Sequence, residues 1–229
     1  MLHAIHHNKI PRALFRGNED SLNAAVFERL RYLPKELFHY IVHNAVYQNI
    51  PELDLHKIES LDFWPSWDST NTSNARLVEP DIFIRTPKND VIIEAKRYDR
   101  NQQYVGQWRN QIQAYHNEYG EEGKGLIYIA LGGINELTSS QLEHHGKTFT
   151  IYKSDWSQML QAIKEVKINL EHGTSLLNTH DAILQILNDL ILCFSMFGFS
   201  TSDGFNRFIS PSRINFNSNS LQILKTWTT

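Results

Sequence analysis

Cysteine is almost missing from this chain: Cys193 is the single one among 229 residues, so no internal disulfide can form and no thiolate zinc site can be built from it alone. Long apolar runs are missing as well. The most hydrophobic stretches, in the last third, are broken at Gln185, Asn188 and Asp189, well short of the roughly 20 residues of a bilayer span. The opening, MLHAIHHNKIPRALFRG, has no apolar core of a signal peptide, and a cytoplasmic protein without membrane contact is expected. There is no excess of positive charge, since 22 Lys and Arg face 25 Asp and Glu for a net of −3. That excludes a basic protein coating nucleic acid over its whole surface and leaves only a local patch for such contacts.

What is present is the balance of a globular protein, 41% apolar and 21% charged. Eleven histidines stand out, but no HExxH occurs. The adjacent pairs His6-His7 and His144-His145 are expected to point to different sides of a helix or strand, so no histidine-based metal site is expected.

Residues 1–18 read as a polar arm. In EDSLNAAVFERLRYL, Leu22, Val26, Leu30 and Leu33 recur at helical spacing, with Glu19 and Asp20 at the positive end and Ser21 able to cap. Pro34 breaks that helix, and PKELFHYIVHNAVYQ resumes as a second. FWPSWDSTNTSN reads as a loop or bent edge strand, in which Trp64 and Trp67 are either a wedge against a partner or anchors to the core. PDIFIRT and VIIEAKRY, joined by a turn in PKND, form a hairpin. A helix carrying Tyr104, Trp108, Ile112 and Tyr115 comes next, with Tyr104 and Trp108 expected in the core. GLIYIALGG is a buried strand closed by a glycine turn, TFTIYKS is another strand, and a helix opens on Ser154 or Asp155. DAILQILNDLILCFSMF is a last amphipathic helix, in which Cys193 is a small buried residue, before a Ser- and Asn-rich tail. The order describes an α/β fold, a mixed sheet flanked by helices.

The chemistry concentrates between Glu79 and Tyr115. Asp81 opens one strand of the hairpin and Glu94 closes the other, so the two meet on neighbouring strands. Glu94 and Lys96, two apart, leave the same face. Two carboxylates at one place are stable only around a cation or with one of them protonated. Oxygen donors completed by water suit a hard ion such as magnesium, and an ammonium beside it can orient water or neutralise charge developing on phosphorus. The set reads as metal-assisted phosphodiester hydrolysis.

Pro80-Asp81, followed after the hairpin by Glu94-Ala95-Lys96, resembles the PD-(D/E)xK nuclease superfamily, and Gln111 with Tyr115 in QIQAY resembles the QxxxY element of its RecB-like members. The resemblance covers roughly residues 19–160. It implies a restriction-endonuclease-like core, residues 19–165, with a helical C-terminal addition over 166–229. Asp81, Glu94 and the Ala95 carbonyl would hold Mg2+, or Mn2+ in its place. Lys96 would serve catalysis, Gln111 would orient the site, and Tyr115 would pack or touch the substrate backbone. A further carboxylate comes from the first helix: Glu19, because an acidic pair before a helix and a Tyr32-Leu33-Pro34 turn resembles bacterial defence-associated members, or else Glu28. Nine residues separate Glu19 from Glu28, about 180° around a helix, so only one can face the site.

From Arg85 to Arg109 there are six basic and three acidic residues, a local +3. Arg97, Arg100 and Arg109 are the expected contacts to a polyanion, and Tyr98 could stack on a base. The expectation is therefore a Mg2+-dependent DNA nuclease, endonuclease or exonuclease, in phage defence or nucleic-acid processing. The rival expectations are a catalytically silent DNA-binding subunit of a larger complex, a homodimeric restriction-type endonuclease using the helices from Asp155 onward as its interface, and a protein scaffold without nucleic acid.

Overall fold

The computed structural model describes residues 18–51, 57–97, 101–172 and 179–202. The helices are α1 (Glu19–Leu30), α2 (Lys35–Ala45), α3 (Val105–Tyr119), α4 (Trp156–His172) and α5 (Thr179–Met196). The strands are β1 (Ser60–Phe63), β2 (Trp67–Asp68), β3 (Leu77–Val78), β4 (Ile82–Arg85), β5 (Asn89–Ala95), β6 (Gly125–Leu131), β7 (Ser140–His144) and β8 (Lys147–Ser154). Six strands form one sheet in the order β1-β4-β5-β6-β8-β7. Its centre, β5-β6-β8, is parallel, while β1 and β4 on one side and β7 on the other pair antiparallel. The α/β class and the mixed sheet flanked by helices are thus present.

One face of the sheet is covered by α1, α2, α4 and α5 over a large apolar cluster that includes Val26, Phe27, Ile41, Ile93, Ile129 and Phe194. The other face carries α3 and the small β2-β3 ribbon over Phe83, Ile92, Trp108, Ile112 and Tyr128. The middle strands face apolar layers on both sides, which is why VII and LIYIAL read as unbroken hydrophobic runs. The helix α5 belongs to the first cluster, burying Leu187, Leu190, Cys193 and Phe194 against α1 and α4. The expected boundary at residue 165 falls inside α4, and both the end of α4 and α5 pack as part of the same core. Among the described residues, no helix is long and apolar enough to cross a membrane.

Several local expectations change in detail. Asn18, not Ser21, is the N-cap of α1; its side chain accepts from the Ser21 amide at 2.9 Å while Ser21 Oγ accepts from the Asn18 amide at 3.0 Å, a closed capping box. The edge strand β1 ends at Phe63, where Trp64 takes φ 46° and remains 37% exposed. Trp67 is buried edge-on against Phe83 at 4.8 Å, so FWPSW holds one anchor and one surface indole. Tyr104, expected in the core, precedes α3 and is exposed. The strand β7 was not legible, because SQLEH carries only one buried apolar residue, Leu142. Its hairpin turn changes the reading of His144-His145: His145 has φ 47° and Gly146 φ 71°, so both rings swing to one side and lie 4.3 Å apart.

Glu94, Ala130 and Lys153 lie in one row across β5, β6 and β8. Lys153 is 4% exposed, and its ammonium lies 3.9 Å from the centre of the Trp108 ring. Burial lowers this amine from 10.5 to about 8, against a smaller opposing pull from Glu136. The unfolded chain therefore binds the proton more tightly, and stability from this group rises with pH between about 8 and 10.5. Lys153→Met, apolar and of similar length, is expected to raise stability at pH 7 by on the order of 1 kcal/mol. Denaturant midpoints should show that advantage vanishing above about pH 10, where lysine is neutral in both states.

Candidate metal centre

The hairpin register pairs Ile82 with Ile93, which sets Asp81 beside Glu94 where β5 ends. Asp81 Oδ2 accepts from the Ala95 amide at 2.8 Å. Glu94 is 2% and Asp81 6% exposed. Lys96, two residues beyond Glu94, leaves the same side and reaches Glu94 Oε1 at 2.5 Å and Glu19 Oε1 at 3.2 Å. Glu19 is the first residue of α1, placed there by the Asn18 cap. One carboxylate oxygen from each of Glu19, Asp81 and Glu94 lies within 4.8 Å of the other two.

Such crowding shows in the acid strengths. Burial first, and then the charge of Glu94, push Asp81 up to about 7 from 3.8, although the Ala95 amide and Lys96 pull the other way. Burial also raises Glu19, with Lys96 opposing. For Lys96, burial works against the ammonium, but Glu94 and Glu19 outweigh it and hold its pKa above the ordinary lysine value. Three carboxylates around one ammonium carry two uncompensated negative charges when fully ionised. An all-oxygen donor set with that surplus fits a hard divalent cation.

Both oxygens of Glu94 are oriented by helix α3. Gln107 Nε2 donates to Oε1 and Gln111 Nε2 to Oε2, each at 2.6 Å. Gln111 in turn accepts from the Tyr128 hydroxyl. Gln103 donates to the Glu94 carbonyl at 2.9 Å and accepts from the Trp108 indole at 2.9 Å. Gln107 and Gln103 were missed in the sequence; Gln107 was findable, since it sits four residues before Gln111 and shares its face. Behind the site, the Lys96 carbonyl accepts from Trp156 Nε1 at 2.9 Å. Gly132, at φ 70°, lets β6 end against it: a Cβ there would stand 2.0 Å from that carbonyl. The glycine turn thus allows the close approach that fixes Lys96.

A cleft of about 510 Å³ opens onto Lys96, Gln107 and Gln111 and is walled by Tyr104, Ser73 and Asn74. The wall is tied to α3 through Asn110, which donates to Ser73 Oγ and Asn74 Oδ1, and through Asn117, which donates to the carbonyls of Asp68 and Thr70.

Other expected site residues lie elsewhere. Glu28 is exposed on the far side of α1. Tyr115 packs rather than reaching the cleft: it is 2% exposed and its hydroxyl donates to Asp90 at 3.1 Å, at the opposite end of β5 from Glu94. Arg97 turns to the other face of the chain from Lys96, with its guanidinium over the Phe197 ring and donating to the Phe197 carbonyl at 3.4 Å. Arg109 is exposed on α3, about 200° around from Gln107 and Gln111. Arg85 pairs with Asp90 and Glu122 at the hairpin's far end. Arg85, Arg97 and Arg109 are therefore dispersed by strand alternation and hairpin length instead of forming one patch. Tyr98 and Arg100 lie outside the described residues.

No protein-family model matches the chain. Its sequence is 29% identical over 164 residues to an uncharacterized protein of Pasteurella multocida (strain Pm70), an alignment covering 65% of this chain. The match spans 60% of that relative's length.

Proposed function

We propose that this chain is a divalent-metal-dependent nuclease of the PD-(D/E)xK type, with a restriction-endonuclease-like core, hydrolysing phosphodiester bonds in DNA. The observation that carries this reading is the convergence of Glu19, Asp81 and Glu94 within 4.8 Å with Lys96 bridging Glu94 and Glu19. The three carboxylates would hold Mg2+ or Mn2+. The cation, when bound, supplies Lewis-acid polarisation of a phosphate and a more acidic water. Lys96 contributes a fixed positive charge and N–H donors at the place where phosphate charge builds up. Gln107 and Gln111 hold both Glu94 oxygens in place, and the Ala95 amide holds Asp81, so the donor set is positioned before substrate arrives. The cleft bounded by Tyr104, Asn74 and Gln107 is the place where the strand would lie.

Asp81→Asn, Glu94→Gln and Lys96→Met are each expected to lower Mg2+-dependent cleavage of plasmid DNA about 100-fold or more, while Glu28→Gln cuts normally. Wild-type rates for all three site variants would overturn the assignment.

The acidity of Asp81 gives a second expectation. A cation must displace the proton that burial and Glu94 hold there up to about pH 7. Mn2+ affinity measured by calorimetry should be about tenfold weaker at pH 6 than at pH 8 and change little above that. In chelator the sign reverses for stability: the folded state binds this proton more tightly than the unfolded one, so the contribution present below about pH 4 is lost as pH rises through 7. Melting temperature in chelator should accordingly fall from about pH 5 to about pH 8, and divalent cation should restore it.

A further inference from the structure

At the opposite side of α3 from the carboxylates, two imidazoles meet on one atom. Gln113 Oε1 lies 3.0 Å from His144 Nε2 and 2.7 Å from His145 Nε2. Gln113 is 7% exposed and is held from behind, its Nε2 donating to Asn117 Oδ1 at 2.8 Å. His116, one turn further along α3, stacks on His144 with the ring planes 15° apart.

The turn that makes this possible is an uncommon one. A two-residue hairpin turn with positive φ at both positions favours Asn-Gly, and here His145 occupies the first position at φ 47°. A side chain in that region is uncommon outside glycine, though asparagine, aspartate and histidine tolerate it best. In a regular strand, His144 and His145 would point apart. The left-handed residue turns both Nε2 atoms toward Gln113 instead.

The geometry points to a second metal site, in which His144 Nε2, His145 Nε2 and Gln113 Oε1 hold a borderline transition ion such as Zn2+. Imidazole nitrogens favour such ions over magnesium, which takes oxygen donors and water. The place now filled by the amide oxygen is within about 1 Å of zinc–nitrogen bonding distance, about 2.0–2.1 Å, from both rings. A small outward shift of Gln113 makes room for the ion and leaves its oxygen as third donor, with water completing the shell. The imidazoles must be neutral to ligate. Burial, followed by His145, His116 and Arg109, holds His144 below the ordinary histidine value. Each ring carries its one proton on Nδ1 once Nε2 coordinates. His145 is exposed and His144 half-buried, which leaves an entry path from solvent. The bound ion would clip the β7-β8 hairpin to α3.

Zinc binding to the full chain, with His3, His6 and His7 replaced by Gln to remove the imidazoles grouped at the start of the sequence, tests this by competition with a chromophoric chelator. The expected result is one equivalent of Zn2+ beyond whatever the Glu19-Asp81-Glu94 centre takes up, a rise in melting temperature with zinc, and that equivalent bound about tenfold or more weaker in His144→Gln and in His145→Asn. Asparagine suits the left-handed turn, so the second variant removes the ligand while keeping the hairpin. Asp81→Asn should bind this zinc equivalent as the parent does. No stoichiometric zinc, binding indifferent to both histidine substitutions, or loss in Asp81→Asn in place of the histidine variants would each overturn the assignment. The nuclease reading can fail without affecting this result.

Discussion

Three carboxylates share a largely buried place at the end of β5, and their mutual repulsion is the constraint around which the surrounding structure is arranged. Left alone, such a group would protonate or spread apart. Lys96 compensates one charge by touching Glu94 and Glu19 together, and Asp81, its pKa pushed up to about 7, removes one more when protonated. The fold contributes rigidity from both sides of the sheet. Asp81 is fixed by a backbone amide, Glu94 by two glutamines, and Lys96 by the glycine turn and Trp156 at its carbonyl. The core that supports these contacts includes α5, so the far end of the described chain helps to define the site through packing against α1, which carries Glu19.

The legible part of the site was the part encoded by short-range geometry. A hairpin with a tight turn brings its open ends together whatever the rest of the fold does, so Asp81, Glu94 and Lys96 could be placed from alternation alone. Glu19 required tertiary information, because a carboxylate at a helix start is equally at home facing solvent. Tyr115 shows the limit of carrying a motif over whole. Gln111 reaches Glu94, but Tyr115, four residues later along α3, meets Asp90 at the strand's other end. His145 shows a different limit: whether a turn residue takes positive φ depends on hairpin register, and neither β7 nor its two-residue turn has a strong hydrophobic signature.

Charge was the least transferable sequence quantity. The excess between Arg85 and Arg109 is real as a count, yet three of its arginines are committed locally or turned away: Arg85 to Asp90 and Glu122, Arg97 to Phe197, Arg109 to the outer face of α3. A run of basic residues that crosses a hairpin and a helix samples every face of the molecule. The cleft is instead walled by asparagine, serine, glutamine, one exposed tyrosine and the acidic Glu79, and its cation is Lys96. A polyanion there would be held by polar and aromatic contacts and by whatever charge the carboxylates recruit.

That last point explains why the residues gripping Glu94 are amides. A second lysine or arginine in place of Gln107 or Gln111 would make a stronger hydrogen bond to carboxylate, but it would cancel the surplus negative charge that suits the place to a divalent cation. Glutamine donates without adding charge. It fixes both oxygens of Glu94 while leaving their charge available, and Gln111 accepts from Tyr128 on its other side, so the amide is itself held. Helix α3 presents Gln107 and Gln111 to the carboxylates and Gln113 to the histidines on the face about 200° away from Gln111. One helix therefore holds both the carboxylate Glu94 and the paired imidazoles of His144 and His145 with the same neutral side chain, glutamine.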